Sequence, residues 1–179
     1  NTAPVALDPL ILHGVRLLGR YLPIAVNQPA NEEAREYVML AALLGGIAIS
    51  SRWLGAAHSL AHQLSTFANV HHGLACSLML PHQMAFSLPG AVERYADIAA
   101  ALDPALGAGK TTHKRAEGAV KAVRQLVDDI GLPARLRDVG VTKEMIPEMT
   151  KHARIDLNWT TNPRAVSESD LEAMYLAAF

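Results

Sequence analysis

Five of the eight histidines, His58, His62, His71, His72 and His82, fall in one 25-residue stretch, HSLAHQLSTFANVHHGLACSLMLPH. His58 and His62 are four apart, so on an α-helix they project from one face, one turn from each other. Imidazole is the commonest transition-metal ligand among side chains and the usual proton carrier near neutral pH. The spacing is not that of a zinc finger, because there is no CxxC and Cys76 is the only cysteine. Nor is it HExxH, because Ser59 follows His58 where a metalloprotease needs its glutamate base. Three kinds of chemistry stay open on spacing alone: a metal site completed by further ligands, a proton relay, or a packed cluster whose ring nitrogens are satisfied internally.

The elements that must position these rings are helical. Gly55 precedes a helix carrying His58 and His62, Asn69-Val70 breaks it, and His71-His72-Gly73 opens the next, spanning residues 74–86 with a bend at Pro81. The cluster therefore straddles a helix-loop-helix corner, and His72 folds back beside His58 and His62 if the second helix starts there. Upstream, Asp8-Pro9 reads as an N-cap with proline in the first turn of a helix that ends at Pro23. After a linker at residues 26–30, Asn31 caps a helix opening with Glu32 and Glu33. That helix is apolar all round over residues 39–49, which predicts a place at the centre of the fold. Further helices are expected at residues 91–102, 116–130 with Gly131 as stop, 142–152, and 171–178 announced by the capping-box pattern Ser167-x-x-Asp170. Residues 106–113 read as an exposed loop, and Gly109-Lys110-Thr111 within it fails as a phosphate loop because Pro104 stands where the first glycine is required. No period-two alternation or internal repeat occurs, so the expected fold is an all-α, multi-helix bundle forming one domain over residues 1–179.

Bulk properties narrow the function classes. Half of the 179 residues are apolar, 5% are aromatic and 18% charged, a composition suited to close-packed aliphatic helices. A net charge of −1 leaves no basic surplus for nucleic acid. The longest apolar run, residues 38–50, is shorter than the roughly 20 residues of a bilayer span, and no signal pattern opens the chain, so a cytoplasmic protein with no membrane partner is expected. Cys76 has no disulfide partner within the chain, and its apolar neighbours Leu74, Ala75, Leu78 and Met79 predict burial as a small hydrophobe.

The stretch from His58 to Gln83 resembles the signature of the iron-containing alcohol dehydrogenases, approximately HxxxHxxGxxxxxPHGxxxAxxLPHV. The similarity continues through Gly131-Leu-Pro-x-x-Leu-x-Asp-x-Gly-Val141 and Asn162-Pro-Arg164, the helical C-terminal domain of that family. The resemblance implies a divalent iron, or zinc, held by one Asp and three His, with His58 and His72 as two of these metal ligands. It implies that His62, the second His of HxxxH, lines the nicotinamide and substrate pocket and serves in proton transfer, making it both the catalytic and the cofactor-binding residue. His82 is structural by the same pattern, and the tail over residues 156–164 resembles a segment near the cofactor. The chain departs from the pattern at Ser65 for Gly, His71 for Pro, Ser77 for Ala and Gln83 for Val, none of which is an implied ligand.

By the same resemblance, the other Asp and His ligands, on a DxxxH helix, and an N-terminal nucleotide-binding domain would lie upstream of Asn1. This polypeptide alone is then expected to be inactive. Its whole protein would transfer hydride between an alcohol and NAD or NADP, as a dimer or larger assembly. Two other readings compete. A maleylacetate-reductase-like enzyme would want extra Arg or Lys in the pocket, whereas residues 52–86 offer only Arg52. A non-catalytic helical interaction module would use the histidines only for packing.

Overall fold

The computed structural model describes Val5–Phe179, and every described element is helical. Eight α-helices are α1 (Asp8–Asn27), α2 (Glu32–Arg52), α3 (Ala56–Ala68), α4 (His72–Ser87), α5 (Val92–Leu102), α6 (Thr112–Asp129), α7 (Ile146–Ile155) and α8 (Glu168–Ala178), joined by short 3-10 turns. The all-α expectation holds. The chain divides into two compact units, one of Asn1–Trp53 and Ala91–Ile130, the other of Leu54–Gly90 and Gly131–Phe179.

In the first unit α1 pairs with α2, and α5 with α6. Small residues allow the close approach: a side chain at Gly14 would meet the Leu44 Cβ at 3.2 Å, and one at Gly19 would meet the Leu102 carbonyl oxygen at 2.8 Å. Tyr21 and Tyr37 stack at 4.4 Å between ring centroids. Asp8 does not cap α1. Leu7 holds the cap position, and the Asp8 carboxylate instead pairs with Arg52 and Arg94, closing the ends of α2 and α5 onto α1. Nor does α1 end at Pro23. It runs on to Asn27, because proline removes only one N–H from the ladder and the turn beyond it is closed by Asn27 Nδ2 donating to the Pro23 carbonyl at 2.9 Å and Gln28 N to Ile24 O at 2.8 Å.

Asn31 caps α2 by accepting from the Ala34 amide at 3.0 Å, as its position predicts. The central placement expected for α2 is not observed. Only Ala34, Ala41 and Leu44 are buried along it, while Met39 is 70% and Leu43 62% exposed. All-round apolarity reports that a helix needs partners on every side, and this chain provides one flank only. Counted as a helix rather than as an apolar run, α2 is 21 residues long and contains an 18-residue window of mean hydropathy 1.2, long and apolar enough to span a bilayer. Helix α6 starts four residues before the expected position, because Thr111 caps it by accepting from the Lys114 amide, which takes His113 out of the loop and into the helix.

The second unit holds the largest apolar cluster. Leu60, Leu64, Met79, Leu136, Ile146, Met149, Leu171 and Tyr175, all nearly inaccessible, pack α3, α4, α7 and α8 together. Tyr175 donates its hydroxyl to the Leu60 carbonyl at 2.8 Å inside this core. Burial, and then the nearby Asp156 carboxylate, push its phenol far above the ordinary range, so it stays neutral. Helix α8 opens with the full capping box: the Ser167 hydroxyl accepts from the Asp170 amide, and Asp170 accepts from the Ser167 amide at 2.8 Å.

Candidate metal and proton-transfer site

Burial along α3 separates two faces. Ala57, Leu60, Ala61 and Leu64 are buried, and His58, His62 and Ser65 form the accessible stripe one turn apart. Asn69 then takes the left-handed conformation, φ 52°, and Val70 turns inward, which reverses the chain within three residues. His71 ends up as the N-cap of α4, its Nδ1 accepting from the Gly73 amide at 3.3 Å. His72, the first helical residue, swings back over α3. The His58 and His72 rings are 5.5 Å apart, His62 and His72 5.3 Å, and His58 and His62 6.0 Å, measured between centroids. Thus three of the five clustered histidines converge, His71 closes the corner, and His82 lies half-buried further along α4.

Sequence reasoning missed the residue that orients His62. Asp156, at the C-cap of α7, accepts from His62 Nδ1 at 2.6 Å. Its other oxygen accepts from the Asn158 amide at 3.2 Å and from Asn158 Nδ2 at 2.6 Å. Burial works to raise this carboxyl, yet the hydrogen bond from His62 and those from Asn158 outweigh it and hold it below the usual carboxylate range. With Nδ1–H given to an ionised carboxylate, neutral His62 presents the lone pair of Nε2. The available signal was the chain's resemblance over residues 156–164, which marked the segment without marking Asp156.

Ser59, wholly buried between the two helical histidines, ties this turn to α3. Its hydroxyl donates to the Asp156 carbonyl at 2.9 Å and accepts from the Trp159 amide at 3.0 Å. The position that excludes an HExxH base is thus a structural strut. Gln83 has a comparable use, with Nε2 donating to Asn162 Oδ1 at 2.7 Å and to Ser87 Oγ at 2.9 Å. Asn162 in turn donates to the Arg164 carbonyl at 2.8 Å, and Arg164 packs on Phe86 at 4.2 Å.

The donors at this corner suit a divalent transition ion. His58 is held below its ordinary value of 6.5, first by burial and then by the neighbouring His72 and His62, against the opposing pull of Asp156, so it favours the neutral form a metal requires. Cys76 was expected inside the core, but only part of its surface is covered, and its sulfur lies 3.5 Å from His72 Nε2. Burial raises its thiol above the ordinary range. Among the described residues, one ligand atom each from His58, His72 and Cys76 lie within 4.8 Å of one another.

Proteins to which this chain is similar are oxidoreductases by name. The family model for the C-terminal part of the Fe-containing alcohol dehydrogenase family matches residues 2–179. A 1,3-propanediol dehydrogenase from Klebsiella pneumoniae is 37% identical over 172 residues, 96% of this chain and 44% of that protein. An NAD-dependent methanol dehydrogenase from Bacillus methanolicus is 32% identical, over 92% of this chain and 43% of that one. The crystal structure of a 1,3-propanediol oxidoreductase superposes with a TM-score of 0.96 at 36% identity, covering all of this chain and 47% of its own. The chain spans less than half the length of these relatives, and over that span it belongs to the Fe-containing alcohol dehydrogenase family.

Proposed function

We propose that this chain is the metal-binding, substrate-side part of an NAD(P)-dependent alcohol dehydrogenase that interconverts an alcohol and its aldehyde or ketone. The observation that carries the reading is the convergence of His58, His62 and His72 with His62 anchored to Asp156 at 2.6 Å. His58 and His72 would hold a divalent iron or zinc ion, which supplies Lewis-acid polarisation of the substrate oxygen. His62 moves the proton: its Nε2 lone pair accepts from the alcohol, or the protonated ring returns that proton during reduction. Asp156 keeps Nδ1 protonated, fixes the ring plane and stabilises the imidazolium that forms, a carboxylate-imidazole division of labour common to many sites. A bound nicotinamide would supply the hydride acceptor or donor, and the protein's task is orientation and exclusion of water.

The rest of the enzyme, in this reading, is an N-terminal nucleotide-binding domain with the remaining Asp and His ligands, and the chain alone is inactive. The methanol dehydrogenase relative is NAD-dependent by name, and the open apolar residues of α2, Met39, Leu43 and Ile47, provide a surface for that domain to cover. Arg52, the one cation over residues 52–86, is committed to Asp8, which speaks against a pocket built for a diacid. The test is elemental analysis after dialysis against ferrous iron or zinc, beside a His58→Ala/His72→Ala double variant. Bound metal that disappears in the variant is expected; equal metal in both would overturn the ligand assignment.

A further inference from the structure

Helix α6 carries its charges in the wrong order for its own dipole. Lys114 and Arg115 stand in the first turn, where unpaired amides already make the potential positive, and Asp128 and Asp129 stand in the last, where unpaired carbonyls make it negative. Both ends are destabilised from within the helix. Among the described residues Lys114 has no ion-pair partner, and the Asp129 carboxylate, which accepts from Gln125 Nε2 at 2.8 Å, meets no cation. Lys114 and Asp129 also line one groove, of about 660 Å³, that runs along α6 within the first unit beside Leu102 and Leu106. Gly118 lies midway along this face. A Cβ at that position would meet only the Leu106 Cβ, at an ordinary 3.9 Å, so nothing in the chain itself excludes a side chain there, although glycine weakens a helix interior relative to alanine. What this glycine leaves open is room for a neighbour to approach the backbone.

We propose that the exposed face of α6 is a contact between two copies of this chain, with the helices antiparallel about a two-fold axis near residues 121 and 122. That register sets Lys114 against Asp129 of the partner subunit and Gly118 against the partner's Gln125, a vacant position against a long side chain. The charge order that opposes the dipole of one helix then complements the helix beside it. A small anion answers Lys114 alone, because Asp129 is opposite in sign and lies about 22 Å further along the axis. A second α6 answers both ends, and the isologous contact closes at two. One helix face with two exposed ion pairs is a weak interface, so the dimer is expected to form reversibly at micromolar concentration and to loosen as salt is raised.

Charge reversal followed by sedimentation velocity over a concentration series of the purified chain tests this. Lys114→Asp opposes two carboxylates across the pair and Asp129→Lys opposes two ammonium groups, so each single variant should dimerise at least about tenfold more weakly than wild type. Either substitution also relieves the conflict with the dipole, so thermal melts no lower than wild type are expected and show that the fold is kept. The double variant Lys114→Asp/Asp129→Lys restores opposite charges and should dimerise again. An equimolar mixture of the two single variants should do so too, since each then meets its complement. Association through the apolar face of α2 would not follow this pattern. A wild type that stays monomeric throughout the micromolar range would overturn the proposal, as would dimerisation indifferent to the single reversals. Failure of both the double variant and the mixture to recover the dimer would overturn the antiparallel register.

Discussion

At the scale of single residues, the proposed proton transfer depends on one ring being held in one tautomer. His62 has two nitrogens with different work, and Asp156 at 2.6 Å decides which carries the proton. Asp156→Asn removes the charge while keeping the shape, and an amide offers His62 either an acceptor or a donor. Nitrogen-15 NMR of the His62 ring is expected to show the Nδ1–H form in the wild type and a mixture in the variant; an unchanged ring would remove Asp156 from the mechanism. In the full-length protein the proposed mechanism predicts that the same substitution lowers kcat more than it raises KM, since the ring remains in place but less able to carry the proton. Ser59 braces the Asp156 turn from inside α3, a buried polar residue between the two helical histidines that holds the turn in place.

At the scale of elements, helix ends and close helix contacts carry the testable energetics. Ser167→Ala removes the hydroxyl that caps α8 and that donates to Asp170, at a cost of about 1 kcal/mol, read by denaturant unfolding. The Asp170 carboxyl is held below its ordinary 3.8 by the Ser167 hydroxyl and amide. A depressed folded value means the unfolded chain takes up the proton first. This contribution is complete above pH 3.8, falls away as acid is added through the folded value, and should be smaller in the acid limb of the Ser167→Ala stability curve, where only the backbone amide still donates to Asp170. Two glycines in helices should answer oppositely to alanine. Gly45 has no atom within 4 Å of a new Cβ, so Gly45→Ala should stabilise by about 0.5–1 kcal/mol. Gly19→Ala meets the Leu102 carbonyl at 2.8 Å and should destabilise, because backbone cannot step aside cheaply. Thermal melts of the two variants moving the same way would show that the α1–α5 contact is looser than described.

At the scale of the whole molecule, α2 is the outlier. A helix that leaves Met39 70% and Leu43 62% exposed presents apolar surface that a free protein hides or uses. Met39→Glu/Leu43→Glu is expected to leave the unfolding free energy nearly unchanged while reducing self-association in sedimentation or light scattering. A large loss of stability would mean that these side chains already pack in the free chain. The proposed activity belongs to this scale too, since the chain covers 44% of its propanediol dehydrogenase relative.

Local and periodic signals were legible in the amino-acid order. The caps at Asn31 and Ser167, the stop at Gly131, the break at Asn69 and the one-turn spacing of His58 and His62 all act over a few residues, where backbone geometry leaves few choices. The all-α class followed from the same periodicities, and the family from a motif compact enough to recognise. Tertiary structure decided what depends on residues far apart in the chain. Nothing at Asp156 announces that it will meet His62, 94 residues earlier. Pro23 ends no helix, because contacts on both sides carry α1 through it. Apolar α2 is not central, because periodicity states how much surface a helix must bury and not whether a partner is present to bury it. Cys76 lies at the edge of the core beside His72 rather than within it, a difference of one helical face set by how α4 rolls against α3.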